Sequence, residues 1–156
     1  MRLTTSILNK LSAEHPNLVI KKADDFAWNP DKNSVFFDES HPNSMELLLH
    51  ELAHGILDHK GYIKDIELLT MEAKAWDQAS EIANKFGLTL DNDVVQDHMD
   101  TYRDWMHARS TCPKCNANGL QRDSHYECLA CRHSWRSNEA RICGLKRYSL
   151  NTNSPT

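Results

Sequence analysis

His50-Glu51-Leu52-Ala53-His54 sets two imidazoles four residues apart, with a carboxylate directly after the first. On a helix, residues four apart share a face, one turn from each other. His50 and His54 can therefore offer two nitrogens to one metal ion. Glu51 stands about 100° round from His50, close enough to hydrogen-bond a water on that ion without binding the ion itself. The chemistry this serves is metal-assisted hydrolysis. The ion brings the pKa of its water toward about 7, and Glu51 takes the proton as the water attacks a carbonyl. Leu47, Leu48, Leu49, Leu52 and Ala53 surround the pattern, so the helix is expected to be largely buried. Two histidines and a glutamate are costly there unless they have a partner.

A second constellation lies near the C-terminus. Cys112-Pro113-Lys114-Cys115 and Cys128-Leu129-Ala130-Cys131 are two Cys-x-x-Cys knuckles with twelve residues between them. Such a pair of pairs closes a tetrahedral zinc site of four thiolates. With every position filled, the site is structural. The intervening residues supply a turn at 116–119 and short strand candidates at Leu120-Gln121 and Tyr126-Glu127, which makes a zinc ribbon, and Trp135 is placed to cover its small core. His125 and His133 are not needed as ligands, and Cys143 is left as a free thiol. Disulfides are not expected if the chain is cytoplasmic.

The elements that must position these residues follow from local pattern. Residues 4–14 predict a short helix with Ile7, Leu8 and Leu11 on one face, ended by His15-Pro16. Leu18-Val19-Ile20 reads as a strand, residues 26–30 as a turn region, and Ser34-Val35-Phe36-Phe37 as a second strand. Asn43 as N-cap with Glu46 three residues on is a capping box for the His50 helix. Gly61 is its expected stop. Asp65 is expected to cap the next helix, which ends before Gly87 and carries Ile66, Leu69, Ala73, Trp76, Ala79 and Ala83 at helical spacing. A third helix spans about 92–108.

A third ligand for the first site must come from elsewhere. Position 60, ten residues after His50, is lysine, and His59 falls about half a turn away if the helix continues, so it should face away near the helix C-terminus. If the chain turns back near Tyr62 or Ile63, helix positions whose numbers sum to about 125 face each other. Glu72 then lies level with His50 and His54, with Glu67 and Asp77 farther along. Glu72 is the expected ligand.

His50-Glu51-Leu52-Ala53-His54-Gly55, preceded by the Val35-Phe36-Phe37 strand and followed by Glu72-Ala73-Lys74-Ala75-Trp76, resembles the minimal zincin peptidases, of the gluzincin pattern. It is similar over about residues 30–85 to the peptidases of the ImmA/IrrE type. In overall layout it is similar to the SprT type, which joins such a core to a C-terminal zinc ribbon but takes a histidine as third ligand. The resemblance implies a zinc peptidase with His50, His54 and Glu72 on the catalytic ion and Glu51 as base. It also implies that Val35, Phe36 and Phe37 form the strand edge that binds substrate backbone, since an exposed edge offers free N–H and C=O groups to an extended peptide. Tyr62, His98 and Tyr102 are candidate transition-state donors.

Charge and cysteine both shift near residue 111. Residues 1–111 hold 11 Lys and Arg against 19 Asp and Glu, a charge of −8, and residues 112–156 hold 7 against 3, a charge of +4. The expected organisation is an α+β zincin-like core at 1–110, made of a short sheet, an active-site helix hairpin and a third helix. A zinc ribbon follows at 111–140, then a basic and polar tail at 141–156, partly disordered. Two zinc ions are expected, one catalytic and one structural. No apolar run approaches a membrane span. Met1–Leu11 has no continuous apolar stretch, so no signal peptide and a cytoplasmic location are expected. The ribbon's Lys114, Arg122, Arg132, Arg136, Arg141, Lys146 and Arg147, with Tyr126, Trp135 and Tyr148, suit nucleic acid or a protein partner. Two other function classes compete with a peptidase: a non-catalytic ribbon adaptor or nucleic-acid-binding protein on a zincin-like fold, and a metal-dependent hydrolase acting on something other than a peptide, such as RNA. Retention of Glu51 favours the peptidase.

Overall fold

The computed structural model describes residues 2–141 and 143–150. Among the described residues the fold is α+β, with four helices and two small sheets. It forms two compact units, Met1–Gly61 with Met71–Asp97, and Tyr62–Thr70 with His98–Thr156.

In the first unit, α1 (Thr5–Glu14) opens with the Thr4 side chain accepting from the Ile7 N–H, and Leu11 on its inner face is fully buried. Three short strands follow: β1 (Val19–Lys22), β2 (Ala27–Asn29) and β3 (Ser34–Phe37). Their order is β1-β3-β2, with β3 parallel to β1 and antiparallel to β2. The turn expected at 26–30 is therefore largely a strand, registered with Trp28 opposite Val35. Helix α2 (Ser44–Ile56) buries Met45, Leu48, Leu49, Leu52 and Ala53. Val35 and Phe37, which alternate to one face of β3, are buried with them. The expected capping box at its start is absent: Asn43 is the N-cap residue, but its side chain makes no cap hydrogen bond. Glu46 is turned inward instead, buried and with Oε2 unpartnered among the described residues.

The stop of α2 also differs from expectation. Leu57 is its C-cap, and Asp58, not Gly61, takes the left-handed conformation at φ 50°. Its N–H bonds to the Gly55 carbonyl at 3.2 Å and the His59 N–H to the His54 carbonyl at 3.0 Å, a Schellman closure. Aspartate visits that conformation more readily than most residues because its short polar side chain can hydrogen-bond locally.

Helix α3 (Asp65–Lys85) begins with Glu67 accepting the Ile63 and Lys64 N–H groups at 2.8 and 3.2 Å, so Glu67 rather than Asp65 caps it. It ends before Gly87, at φ 68°. Within the first unit its buried stripe is Glu72, Ala75, Trp76, Ala79, Ile82 and Ala83. Ala73, expected on that face, is exposed.

The second unit holds the start of α3, most of α4 (Asn92–Ser110) and a sheet of four antiparallel strands. These are β4 (Gly119–Arg122), β5 (His125–Cys128), β6 (Ser134–Ser137) and β7 (Arg147–Ser149). The compact units thus divide elsewhere than at residue 111, and the sheet runs past residue 140 into the segment expected as tail. Residues 151–156, where disorder was expected, lie outside the described residues. The physical reason for the division is a buried polar knot. Arg109 Nε donates to Asp65 Oδ2 at 2.7 Å, and Tyr126 Oη donates to the same oxygen. Arg109 Nη1 reaches the Asn138 carbonyl, and Trp135 Nε1 donates to the Arg109 carbonyl at 2.9 Å. Among the described residues no helix is long and apolar enough to cross a membrane.

Candidate metal centres

The three side chains expected around the first metal converge. His50 Nε2 lies 2.9 Å from Glu72 Oε2 and 3.1 Å from His54 Nε2, and His54 Nε2 lies 3.4 Å from the same carboxylate oxygen. All three residues are buried, His50 at 1%, Glu72 at 4% and His54 at 7% exposure. Zinc held tetrahedrally at about 2.0–2.1 Å separates its N and O donors by about 3.3 Å. The observed separations are within a few tenths of an ångström of that, and two imidazoles with one carboxylate is a donor set zinc favours. The arrangement arises as the hairpin geometry predicts: α2 brings the histidines one turn apart, and α3 returns Glu72 at their level. Glu67, at the start of α3, is a cap, and Asp77 is exposed.

Charge at this centre is displaced from ordinary values. Burial would push the Glu72 carboxyl up, but hydrogen bonds from His50 and His54 outweigh it and hold the group well below the usual carboxylate range. Glu51 goes the other way. Burial, reinforced by the charge of Glu72, raises it from 4.5 to about 7, against the opposing pull of His54 and the Trp28 backbone N–H. Glu51 therefore feels both His54 and Glu72 but is not one of the three donors. The Trp76 ring stacks on His50 with centroids 4.3 Å apart and fixes its plane.

Trp28 is a positioning residue that the sequence did not flag. Its backbone N–H serves Glu51, and its indole Nε1 donates to the His59 carbonyl at 2.9 Å. It packs where Gly55 leaves room: a Cβ there would come within 3.1 Å of the indole ring. His59 does not face away. Because α2 closes at Leu57, the chain doubles back and His59 Nδ1 comes to 2.8 Å from His54 Nδ1.

The substrate strand needs correction. Val35, Phe36 and Phe37 lie on β3, which is the central strand with both edges taken, and Val35 and Phe37 are buried in the core. The sheet's edges are β1 and β2. Tyr62, His98 and Tyr102 all belong to the second compact unit, whereas His50, Glu51, His54 and Glu72 belong to the first.

The four cysteines converge as their spacing predicts. Cys112 Sγ lies 3.7 Å from Cys131 Sγ, and Cys115 Sγ lies 3.5 Å from Cys128 Sγ. Those separations match thiolates sharing one zinc, about 3.8 Å for bonds of about 2.3 Å, and none of the four is in a disulfide. The knuckles present backbone N–H groups to sulfur, Lys114 to Cys112 and Cys131 to Cys128, both at 3.4 Å. The Cys131 N–H draws the Cys128 thiol down to about 7. Cys115 rises to about 12: the Ala117 N–H favours its thiolate, but the other three sulfurs outweigh that. Four thiols this close cannot all ionise without a cation among them. Trp135 covers the site as expected, fully buried and stacked on Tyr126 at 5.6 Å. His125 and His133 stay outside the ligand set, and Cys143 is exposed. The structure thus offers two candidate zinc sites, one of four thiolates and one of two imidazoles and a carboxylate.

Comparison with family models, with curated proteins and with solved structures gave no match.

Proposed function

We propose that the chain is a zinc-dependent peptidase of the zincin type, with a zinc ribbon that recruits it to a protein partner or to nucleic acid. The observation that carries this is the pairing of a buried His50, His54 and Glu72 donor set with a second carboxyl, Glu51, outside that set but close enough to feel the His54 and Glu72 charges. His50, His54 and Glu72 would hold a zinc ion with three protein donors, the number that catalytic zinc sites use. Zinc held there supplies Lewis acidity, which polarises a carbonyl and makes water a nucleophile near neutral pH.

The remaining steps belong to the chain. Glu72 stays ionised and balances the cation. Glu51 takes the proton that leaves the attacking water and delivers it to the departing amine, a task for a carboxyl that stands beside the three donors without being one of them. Trp76, stacked on His50, and the Trp28 N–H on Glu51 hold that ring and that carboxyl in place. An extended peptide can add only to a free edge. Edge strand β2, whose Trp28 N–H reaches Glu51, therefore replaces β3 as the substrate strand. In the ribbon, Arg136 and Tyr148 are register partners on exposed positions of β6 and β7, with Arg132, Lys146 and Arg147 also exposed. Cations and an aromatic together suit phosphates and base stacking, and equally an acidic protein surface.

The test is zinc per chain by mass spectrometry with peptide-library cleavage alongside. Wild type should carry two zinc ions and cleave. His50→Ala with His54→Ala should carry one. Glu51→Gln should keep two and lose cleavage. Cleavage retained by Glu51→Gln refutes the mechanism. One zinc in wild type and in the double variant alike means that the histidine pair binds no zinc, and the ribbon-adaptor reading then leads.

A further inference from the structure

His59 is a third imidazole at the first centre, and its placement is built rather than incidental. Its backbone is held at both ends. The N–H bonds to the His54 carbonyl at 3.0 Å in the closure of α2, and the carbonyl accepts the Trp28 indole N–H at 2.9 Å. Asp58 takes a left-handed conformation, uncommon for a residue other than glycine, to make that return. The result is an imidazole whose Nδ1 sits 2.8 Å from His54 Nδ1, with ring centroids 5.0 Å apart and planes at 64°.

His54 uses its two nitrogens differently. Nε2 lies within 3.4 Å of both His50 and Glu72, so it is the nitrogen that faces the donor set. A nitrogen that binds a metal must present its lone pair, so the proton of neutral His54 has to reside on Nδ1. That N–H is part-buried and needs an acceptor. Among the described residues the partner in reach is His59 Nδ1, which accepts only when His59 carries its own proton on Nε2. His59 is not in the donor set itself: its contact is with the opposite side of the His54 ring.

We propose that His59 is a positioning residue for metal binding: by accepting the His54 Nδ1 proton it fixes the tautomer and ring plane that aim His54 Nε2 at the ion. This rests on the two-histidine, one-glutamate site being a zinc site. Partners of this kind typically contribute 10–100-fold to metal affinity.

The experiment is zinc affinity of the full chain by competition with a chromophoric chelator, the ribbon zinc serving as an internal standard. Wild type, His59→Ala, His59→Asn and the His50→Ala, His54→Ala double variant are compared, with folding checked by thermal melts. Asparagine can place Oδ1 near the former Nδ1 and accept the same proton. Expected are a second zinc in wild type, about 10–100-fold weaker binding of that zinc in His59→Ala, and recovery of most of the loss in His59→Asn. A His59→Ala variant with wild-type affinity overturns the proposal and leaves the metal site standing. So does a His59→Asn variant as weak as His59→Ala, because a role other than proton acceptance is then at work. Failure of wild type to bind more zinc than the double variant overturns the site and the proposal together.

Discussion

Replacing Glu51 by glutamine should stabilise the protein at alkaline pH, when the first centre holds no zinc, and leave it unchanged in acid. Burial and the Glu72 charge raise the Glu51 carboxyl from 4.5 to about 7 in the fold. A displacement of one pH unit in such a group is worth about 1.4 kcal/mol, so ionised Glu51 costs the fold on the order of 3 kcal/mol. The sign follows from proton binding. Below pH 4.5 folded and unfolded chains both hold the proton and the cost is absent. Between 4.5 and about 7 the unfolded chain releases it while the folded chain keeps it, so stability falls as pH rises through that window. Above about 7 the full cost is present. Glutamine never ionises and keeps the shape. Urea unfolding from about pH 4 to pH 8.5 measures the difference, on protein stripped gently enough to keep one zinc per chain in the ribbon. Glu51→Gln should be more stable by about 2–3 kcal/mol near pH 8, shrinking to within about 0.5 kcal/mol near pH 4.5. A difference that is absent near pH 8, or constant across the range, would refute the claim that Glu51 is a desolvated carboxyl poised near neutrality.

Other outcomes follow from named contacts. Glu72→Ala removes the carboxylate that both imidazoles bond, and should weaken zinc at the first centre by more than about 100-fold without touching the ribbon zinc, read by chelator competition. Asp65→Ala leaves Arg109 buried and unpaired and should cost about 3–5 kcal/mol in urea unfolding, whereas Asp65→Ala with Arg109→Met should recover most of it. Gly119→Ala pushes a methyl into the Trp135 ring and to 3.0 Å from the Glu127 carbonyl oxygen, and should destabilise the ribbon by about 1–3 kcal/mol while leaving zinc at the first centre intact. Gly55→Ala crowds Trp28, which serves both Glu51 and His59. It should lower the affinity of the first centre for zinc more than that of the ribbon, by the same competition assay.

Both candidate metal centres were legible in the chain because their ligands are fixed by local geometry. Two histidines four apart meet on any helix, and two Cys-x-x-Cys knuckles present four sulfurs whatever surrounds them. Glu72 was readable one step further out, because an antiparallel hairpin fixes which residues face one another. A stronger signal also stood in the sequence: Glu72 falls three residues before Ala75 on the same face as the Ala75, Trp76, Ala79, Ile82 stripe, where a buried carboxylate needs a partner. The α+β class, the four helices and the ribbon's Trp135 core followed from periodicity and turn residues.

What only the tertiary structure decided depends on pairings distant in sequence. Whether Val35-Phe36-Phe37 is an edge or a centre turns on β2, a three-residue strand whose pattern is too short to announce itself and which exists because Trp28 pairs opposite Val35. Asp65 looked like a cap because aspartate before a helix usually is one, yet Arg109 and Tyr126, far along the chain, claim its carboxylate. The closing strand β7 forms only because β6 offers it an edge. His59 depends on where one helix stops: a single left-handed residue at Asp58 turns the ring toward His54, and helical spacing beyond that point no longer applies. Side-chain types and near spacing thus determined which chemistry the chain can hold. Long-range packing decided which groups orient it, because those contacts are settled by burial and hydrogen-bond competition across the whole fold.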